Sequence, residues 1–304
     1  MDVIFHADDF GINPKQSHQI LSCADKGGLL NSTSIFVTSP HFEECATLLA
    51  QRPKDMRVGL HINLVEGPCC ADPTSIPMLV DAQGIFRLSF AGILAASMGS
   101  SRQEFARELA CELDAQLDRF EEHFPELHSH LRIDGHQHVQ LIPAVFNALM
   151  SSVQRRGATL EYLRVPAEPL TPFLNPKVFF GIRPINWVKH WLLNFLWRLD
   201  RKSFPDYQHH SAIFCGVLFS GCMNTQRVQD VFSAYLSCAR RRKMNLEFLF
   251  HPGGIERVED CLNPKLSGFT AFYASDGRQQ EAAALHELEL IRQADGMPTQ
   301  LKRR

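Results

Sequence analysis

Short apolar runs alternate along this chain with longer stretches in which apolar residues recur at helical spacing. Val3-Ile4-Phe5 reads as a strand, and Asn13-Pro14 has the form of an N-cap with proline at the first helical position, opening a helix through about Asp25. Ser34–Val37 and Arg57–Ile62 read as the second and third strands. Ser101-Arg102-Gln103-Glu104 has capping-box form, and Phe105, Leu109, Leu113, Leu117 and Phe120 follow on one helical face. Leu131–Asp134 is a fourth strand, with a helix over Pro143–Arg156 behind it. Glu161–Arg164, Ala212–Cys215 and Asn245–Phe250 are further strands; Asp230–Arg241 and Gln279–Gln293 are the late helices.

This β-α order predicts an α/β fold with a largely parallel sheet. A length of 304 residues favours closure into a (β/α) barrel, taken as one domain over 1–304. Two connections exceed what a minimal barrel needs. Pro68–Ala95 contains proline and glycine, and Pro166–His210 holds six prolines and all three tryptophans. Both are candidate lids or substrate-binding insertions.

Composition narrows the class. Hydrophobic residues make up 45 %, enough for a large core, and the net charge of −2 does not suggest a nucleic-acid binder. Nine cysteines with no C-x-x-C pair suggest free thiols in a reducing cytoplasm. Neither a signal peptide nor a membrane-spanning stretch is evident.

Candidate chemistry collects at strand ends. The first strand ends in His6-Ala7-Asp8-Asp9-Phe10-Gly11, the third in Gly59-Leu60-His61-Ile62-Asn63, and the fourth in Asp134-Gly135-His136-Gln137-His138. C-terminal ends of parallel strands converge on one face of a barrel, so these carboxylates and imidazoles would share a small volume and form a mixed N/O set for a divalent metal. Taken singly, each has an ordinary explanation: Asp8-Asp9 as a cap or turn, His61 as a core histidine. His136 and His138 would point to opposite faces of an extended strand, leaving at most one as a ligand unless the backbone turns. Two adjacent aspartates suit divided roles, one on a metal and one taking a proton from water. The strand Asn245–Phe250 ends in His251-Pro252-Gly253-Gly254, so His251 is the candidate acid for a leaving amine. Arg164 could orient a carboxylate or the substrate.

His6-Ala-Asp-Asp-Phe-Gly11, Gly59-Leu-His-Ile-Asn-Leu64, Asp134-Gly-His-Gln-His138, Leu163-Arg-Val-Pro166 and His251-Pro-Gly253 resemble, in order, the motifs of the YdjC-like carbohydrate deacetylases. That family includes chitooligosaccharide and hopanoid-associated deacetylases. The resemblance implies an irregular, TIM-like (β/α) barrel, here with a helical insertion near residues 166–210. It further implies a metal held by Asp9, His61 and His136, with Asp8 as general base and His251 as acid. Arg164, His138 and His6 are then left to bind substrate. The implied reaction is removal of an N-acetyl group from an amino sugar, either chitooligosaccharide-like or a glycolipid-linked N-acetylglucosamine. The resemblance puts magnesium (Mg2+) first as the metal, whereas two imidazoles with one carboxylate suit zinc (Zn2+).

The third motif often continues into another histidine, where this chain has Gln140, and that departure bears on sugar preference. Competing readings are another metal-dependent hydrolase on the same barrel, an amidohydrolase or phosphoesterase, and a non-catalytic carbohydrate-binding barrel. A homodimer stays open. Within the insertion, Trp187, Val188, Trp191, Leu192, Phe195 and Leu199 share one helical face, with Lys189, His190, Asn194 and Arg201 off it. Residues 187–199 therefore suit either a helix packed on the barrel or a peripheral membrane contact.

Overall fold

The computed structural model describes residues 1–294 and 296–304, with the side chains of Lys26, Pro176 and Lys177 outside the description. Seven strands form one sheet: β1 (Val3–Phe10), β2 (Ser32–Ile35), β3 (Arg57–Ile62), β4 (Leu131–Gly135), β5 (Leu160–Leu163), β6 (Ala212–Cys215) and β7 (Asn245–Phe250). Their order is β5-β4-β3-β2-β1-β7-β6, and every neighbouring pair is parallel. The sheet curls into a half-barrel of the TIM-like type. Between its edges, β5 and β6, the backbone N–H of Leu163 donates to the carbonyl of His210 at 2.8 Å. The long insertion leaves and re-enters the chain at that seam.

Helices link the strands: α1 (Pro14–Ser22), α2 (Phe42–Leu49), α3 (Phe90–Ala96), α4 (Arg102–His123), α5 (Pro143–Arg156), α6 (Pro176–Phe179), α7 (Pro184–Asp200), α8 (Thr225–Arg242), α9 (Ser267–Tyr273) and α10 (Asp276–Glu287). The α4 stripe of Phe105, Leu109, Leu113, Leu117 and Phe120 is buried, as its periodicity predicts. Strands β1 to β4 are buried almost throughout because they are covered on both sides, and most of their apolar side chains join one continuous core.

Several expected boundaries shift. Ser101 makes no side-chain cap, so the capping box does not form. The first helix ends at Ser22, and α8 begins at Thr225 rather than Asp230. The last helix stops at Glu287, after which β8 (Leu288–Arg292) pairs antiparallel with β9 (Pro298–Arg303). All nine cysteines are free thiols. No helix among the described residues is long and apolar enough to cross a membrane.

Helix α7 packs on the barrel through Leu193, Leu196 and Trp197, and most of its predicted apolar stripe faces outward. Asn186, His190 and Asp200 are buried, while Val188, Trp191, Phe195 and Leu199 face outward and Trp187 and Leu192 are half-buried. Two of the inward polar groups bond to the backbone: Asn186 Nδ2 donates to the Leu218 carbonyl at 3.0 Å, and His190 Nε2 to the Glu168 carbonyl at 2.8 Å.

Candidate metal centre

Both aspartates of the first motif reach one cavity because β1 bulges there. Its register against β2 runs Ala7 to Thr33 and then Phe10 to Ile35, so two residues of β1 oppose one of β2. Asp9 takes the left-handed conformation, with φ of 66°. A regular strand would send consecutive side chains to opposite faces; the bulge lets Asp8 and Asp9 line the same cavity of about 740 Å³. The second turn lies after β4, where Gln137 and His138 have φ of 52° and 62°. This kink parts the two histidines: His136 enters the Asp9 cluster, and His138 stands edge-on to Phe214 at 5.6 Å.

Asp9, His61 and His136 converge as the first cluster. Asp9 Oδ1 lies 3.3 Å from His136 Nδ1 and 3.7 Å from His61 Nε2. Its other oxygen pairs with the buried Arg278 of α10, whose Nη1 also donates to the Gly253 carbonyl at 2.8 Å. Burial opposes ionisation of Asp9, but Arg278 and His136 outweigh it and hold the carboxyl well below the usual range. His61 Nδ1 donates to Asp134 Oδ1 at 2.6 Å, and its buried Nε2 has no hydrogen-bond partner. A histidine fixed by a carboxylate on one nitrogen and open on the other is the arrangement of a metal ligand with its supporting shell. His136 Nε2 is 3.0 Å from Glu66 Oε1, and the Tyr273 hydroxyl donates to that same oxygen. Burial works against protonating His136, yet Asp9 and Glu66 together raise it to about 9. A divalent cation would take over that positive role, so the residues present fit a metal.

His6, Asp8 and Asp134 form a second cluster. Here a guanidinium already supplies the charge. Arg164 Nη1 donates to Asp8 Oδ2 at 2.8 Å, Nη2 lies 3.1 Å from Asp134 Oδ2, and Nε donates to Glu247 Oε1 at 2.8 Å. Burial opposes ionisation of Asp8, but Arg164 and His61 keep it below the usual carboxylate value. Burial also raises Glu247, to about 8, with Asp134 and Asp8 adding to the effect. His6 Nε2 sits 3.1 Å from Asp134 Oδ2 and 3.2 Å from Asp8 Oδ1, and Nδ1 is 2.8 Å from Ser32 Oγ.

The expected substrate contacts divide. His138 lines the cavity, and burial together with the nearby Arg164 charge lowers it to about 3, so its ring is neutral. Arg164 and His6 are instead enclosed beneath the cavity floor, where they brace Asp8. A substrate in the cavity meets Asp8 before either of them. Gln140 is also enclosed; its Nε2 donates to the Arg164 carbonyl at 3.2 Å, so the departure from the family pattern falls on a packing contact. His251 lines the cavity from the turn after β7. Its N–H donates to Glu281 Oε2 at 2.5 Å, and its ring lies edge-on to Phe272 at 5.2 Å. Gly253 holds φ of 78°, and a Cβ there would come within 2.8 Å of the Gln16 carbonyl. Both long insertions wall the cavity, Phe90 and Ala91 from one and Ile185, Asn186 and Lys189 from the other.

Glu66, Glu247, Tyr273 and Arg278 were not singled out from sequence, and Asp134 was named within its strand-end motif without a role of its own. Asp134 carried a signal, since it sits two residues before His136 and so shares its face of an extended strand. Tyr273 and Arg278 come from α9 and α10, distant helices with no strand-end position to mark them.

Comparison with known proteins adds to this geometry. A family model described as "YdjC-like protein" matches residues 2–294. A zebrafish (Danio rerio) carbohydrate deacetylase is 31 % identical over 175 residues, covering 57 % of this chain and 52 % of the relative. A mouse (Mus musculus) carbohydrate deacetylase is 34 % identical over 172 residues, 55 % of this chain and 51 % of the relative. A chitooligosaccharide deacetylase of Yersinia pestis (strain Pestoides F) is 30 % identical over 163 residues, 52 % of this chain and 58 % of the relative. The matched region thus spans about half the length of these relatives. A crystal structure from Enterococcus faecalis V583, named for a proposed role in cellobiose-phosphate cleavage, superposes with a TM-score of 0.60 at 18 % identity, over 93 % of this chain and 90 % of that one.

Proposed function

Since this chain belongs to the YdjC-like family, we propose that it is a metal-dependent hydrolase that removes N-acetyl groups from an amino-sugar substrate of the chitooligosaccharide or N-acetylglucosamine-glycoside type. The observation that carries this reading is the open Nε2 of His61, held toward Asp9 by the short Nδ1 contact to Asp134. Carbohydrate deacetylases among the relatives support the reaction class.

Asp9, His61 and His136 would hold the ion. When bound, a divalent cation supplies Lewis acidity to the amide carbonyl and acidifies water. Two imidazoles and one carboxylate suit Zn2+ or a similar borderline ion better than Mg2+. Asp8 faces the cavity and is kept ionised by Arg164, so it can take a proton from the attacking water. His6 braces its other oxygen. His251 stands on another strand end, fixed through its backbone by Glu281, and gives a proton to the departing amine. His138, neutral on the cavity wall, is placed to hydrogen-bond a sugar hydroxyl.

The test is acetate release from N-acetylglucosamine oligomers, before and after chelation and metal return, alongside phosphate release from sugar phosphate esters. Chelator-sensitive acetate release supports the reading. Turnover that survives both chelation and His61→Ala, or selective phosphate release, would overturn it.

A further inference from the structure

Eleven large hydrophobic side chains are exposed among the described residues, and nine of them lie between Leu170 and Leu199. On α7 they form one outward stripe: Ile185 56 %, Val188 62 %, Trp191 67 %, Phe195 56 % and Leu199 53 % exposed. The patch continues past the start of the helix, where Phe180, 84 % exposed, packs at 5.6 Å on Phe179, itself 4.9 Å from Trp187. An apolar patch of this kind marks a surface that something covers.

The charges around it identify the covering surface. Arg183, Lys189, Arg198, Arg201 and Lys202 are all exposed, and Asp200, the one acid between residues 170 and 202, is buried. The patch is therefore rimmed by cations on a chain whose net charge is −2. Two copies meeting through this face would bring like charges together. An anionic bilayer satisfies both features, because its headgroups attract the basic rim and its interface takes up tryptophan, phenylalanine and aliphatic side chains. We propose that the outward face of α7, with Phe180, docks on an anionic lipid surface without spanning it. Ile185 and Lys189 also line the catalytic-side cavity, so docking sets the cavity mouth beside the headgroups.

The full-length protein is sedimented with phosphatidylcholine vesicles with and without phosphatidylglycerol, at low and high salt. Wild type is expected to bind the phosphatidylglycerol vesicles at least tenfold more tightly, with high salt weakening the binding. Trp191→Asp and Phe195→Asp should each lose that binding while keeping the wild-type melting temperature; neither residue lines the cavity. Arg198→Glu with Arg201→Glu should weaken binding to phosphatidylglycerol vesicles only. Absence of wild-type binding, or binding that Trp191→Asp leaves unchanged, would overturn the proposal. So would concentration-dependent dimerisation that Trp191→Asp abolishes in a protein that ignores vesicles. Acetate release from soluble oligomers is a separate readout, so failure of the docking face and failure of the hydrolase reading are distinguishable.

Discussion

Two clusters of carboxylates and imidazoles sit side by side at the C-terminal ends of β1, β3 and β4, and similar residue types do different work in them. In the His6–Asp8–Asp134 cluster, Arg164 reaches both carboxylates, so the site carries its own fixed cation. In the Asp9–His61–His136 cluster, Arg278 takes the outer oxygen of Asp9 and leaves Oδ1 facing two imidazoles. Donor types alone do not distinguish a metal site from a structural ion network; the position of a buried guanidinium does. Asp134 couples the two, with one oxygen on His61 and the other toward His6 and Arg164.

The contrast can be broken most sharply at the imidazoles. His61→Ala should reduce bound metal from about one ion per chain to nearly none, with loss of acetate release, whereas His6→Ala should retain the ion; elemental analysis of both variants decides. Asp8→Asn should lower kcat by about 10²–10⁴-fold while metal content is unchanged, as expected for a lost general base. Loss of metal in that variant would merge the clusters into one site.

Arg164→Met tests the fixed cation. Leaving Asp8 and Asp134 buried without it should destabilise the fold by roughly 3–5 kcal/mol at neutral pH, read from denaturant melts. The sign of its pH dependence follows from the lowered carboxyls of Asp8 and Asp134 in the intact protein. Their contribution is fully present above the ordinary carboxylate pKa of about 4 and is lost as pH falls through their folded values. The variant lacks that contribution and gains relief when its carboxyls protonate, so the gap should narrow as pH drops. The smallest effect is expected at Glu66→Gln, which alters the support of His136 and the acceptor of the Tyr273 hydroxyl: metal affinity should fall by about 10–100-fold, measured by competition with a chelator.

Much of this contrast was legible in the chain. Parallel strands ending in Asp-Asp, His and His-Gln-His put the donors on one face, and α4 buried its stripe as its spacing required. The bulge at Asp9 was not legible, because a left-handed aspartate leaves no periodic signature. Arg278 and Tyr273 reach the site by tertiary packing from the last helices, and no local pattern announces them. On α7 the periodicity left two directions open, and the structure turns most of the stripe outward: an apolar stripe shows that a helix has two faces, while the burial of Leu193, Leu196 and Trp197 with Asn186 and His190 shows which turns inward.

Anomalous diffraction from a crystal of the wild-type protein grown with manganese or zinc bears most directly on the division between the clusters. A single strong peak bounded by Asp9, His61 and His136, with Arg164 still on Asp8, is the predicted result. A peak among His6, Asp8 and Asp134 with Arg164 displaced, or no peak at a saturating metal concentration, would contradict it.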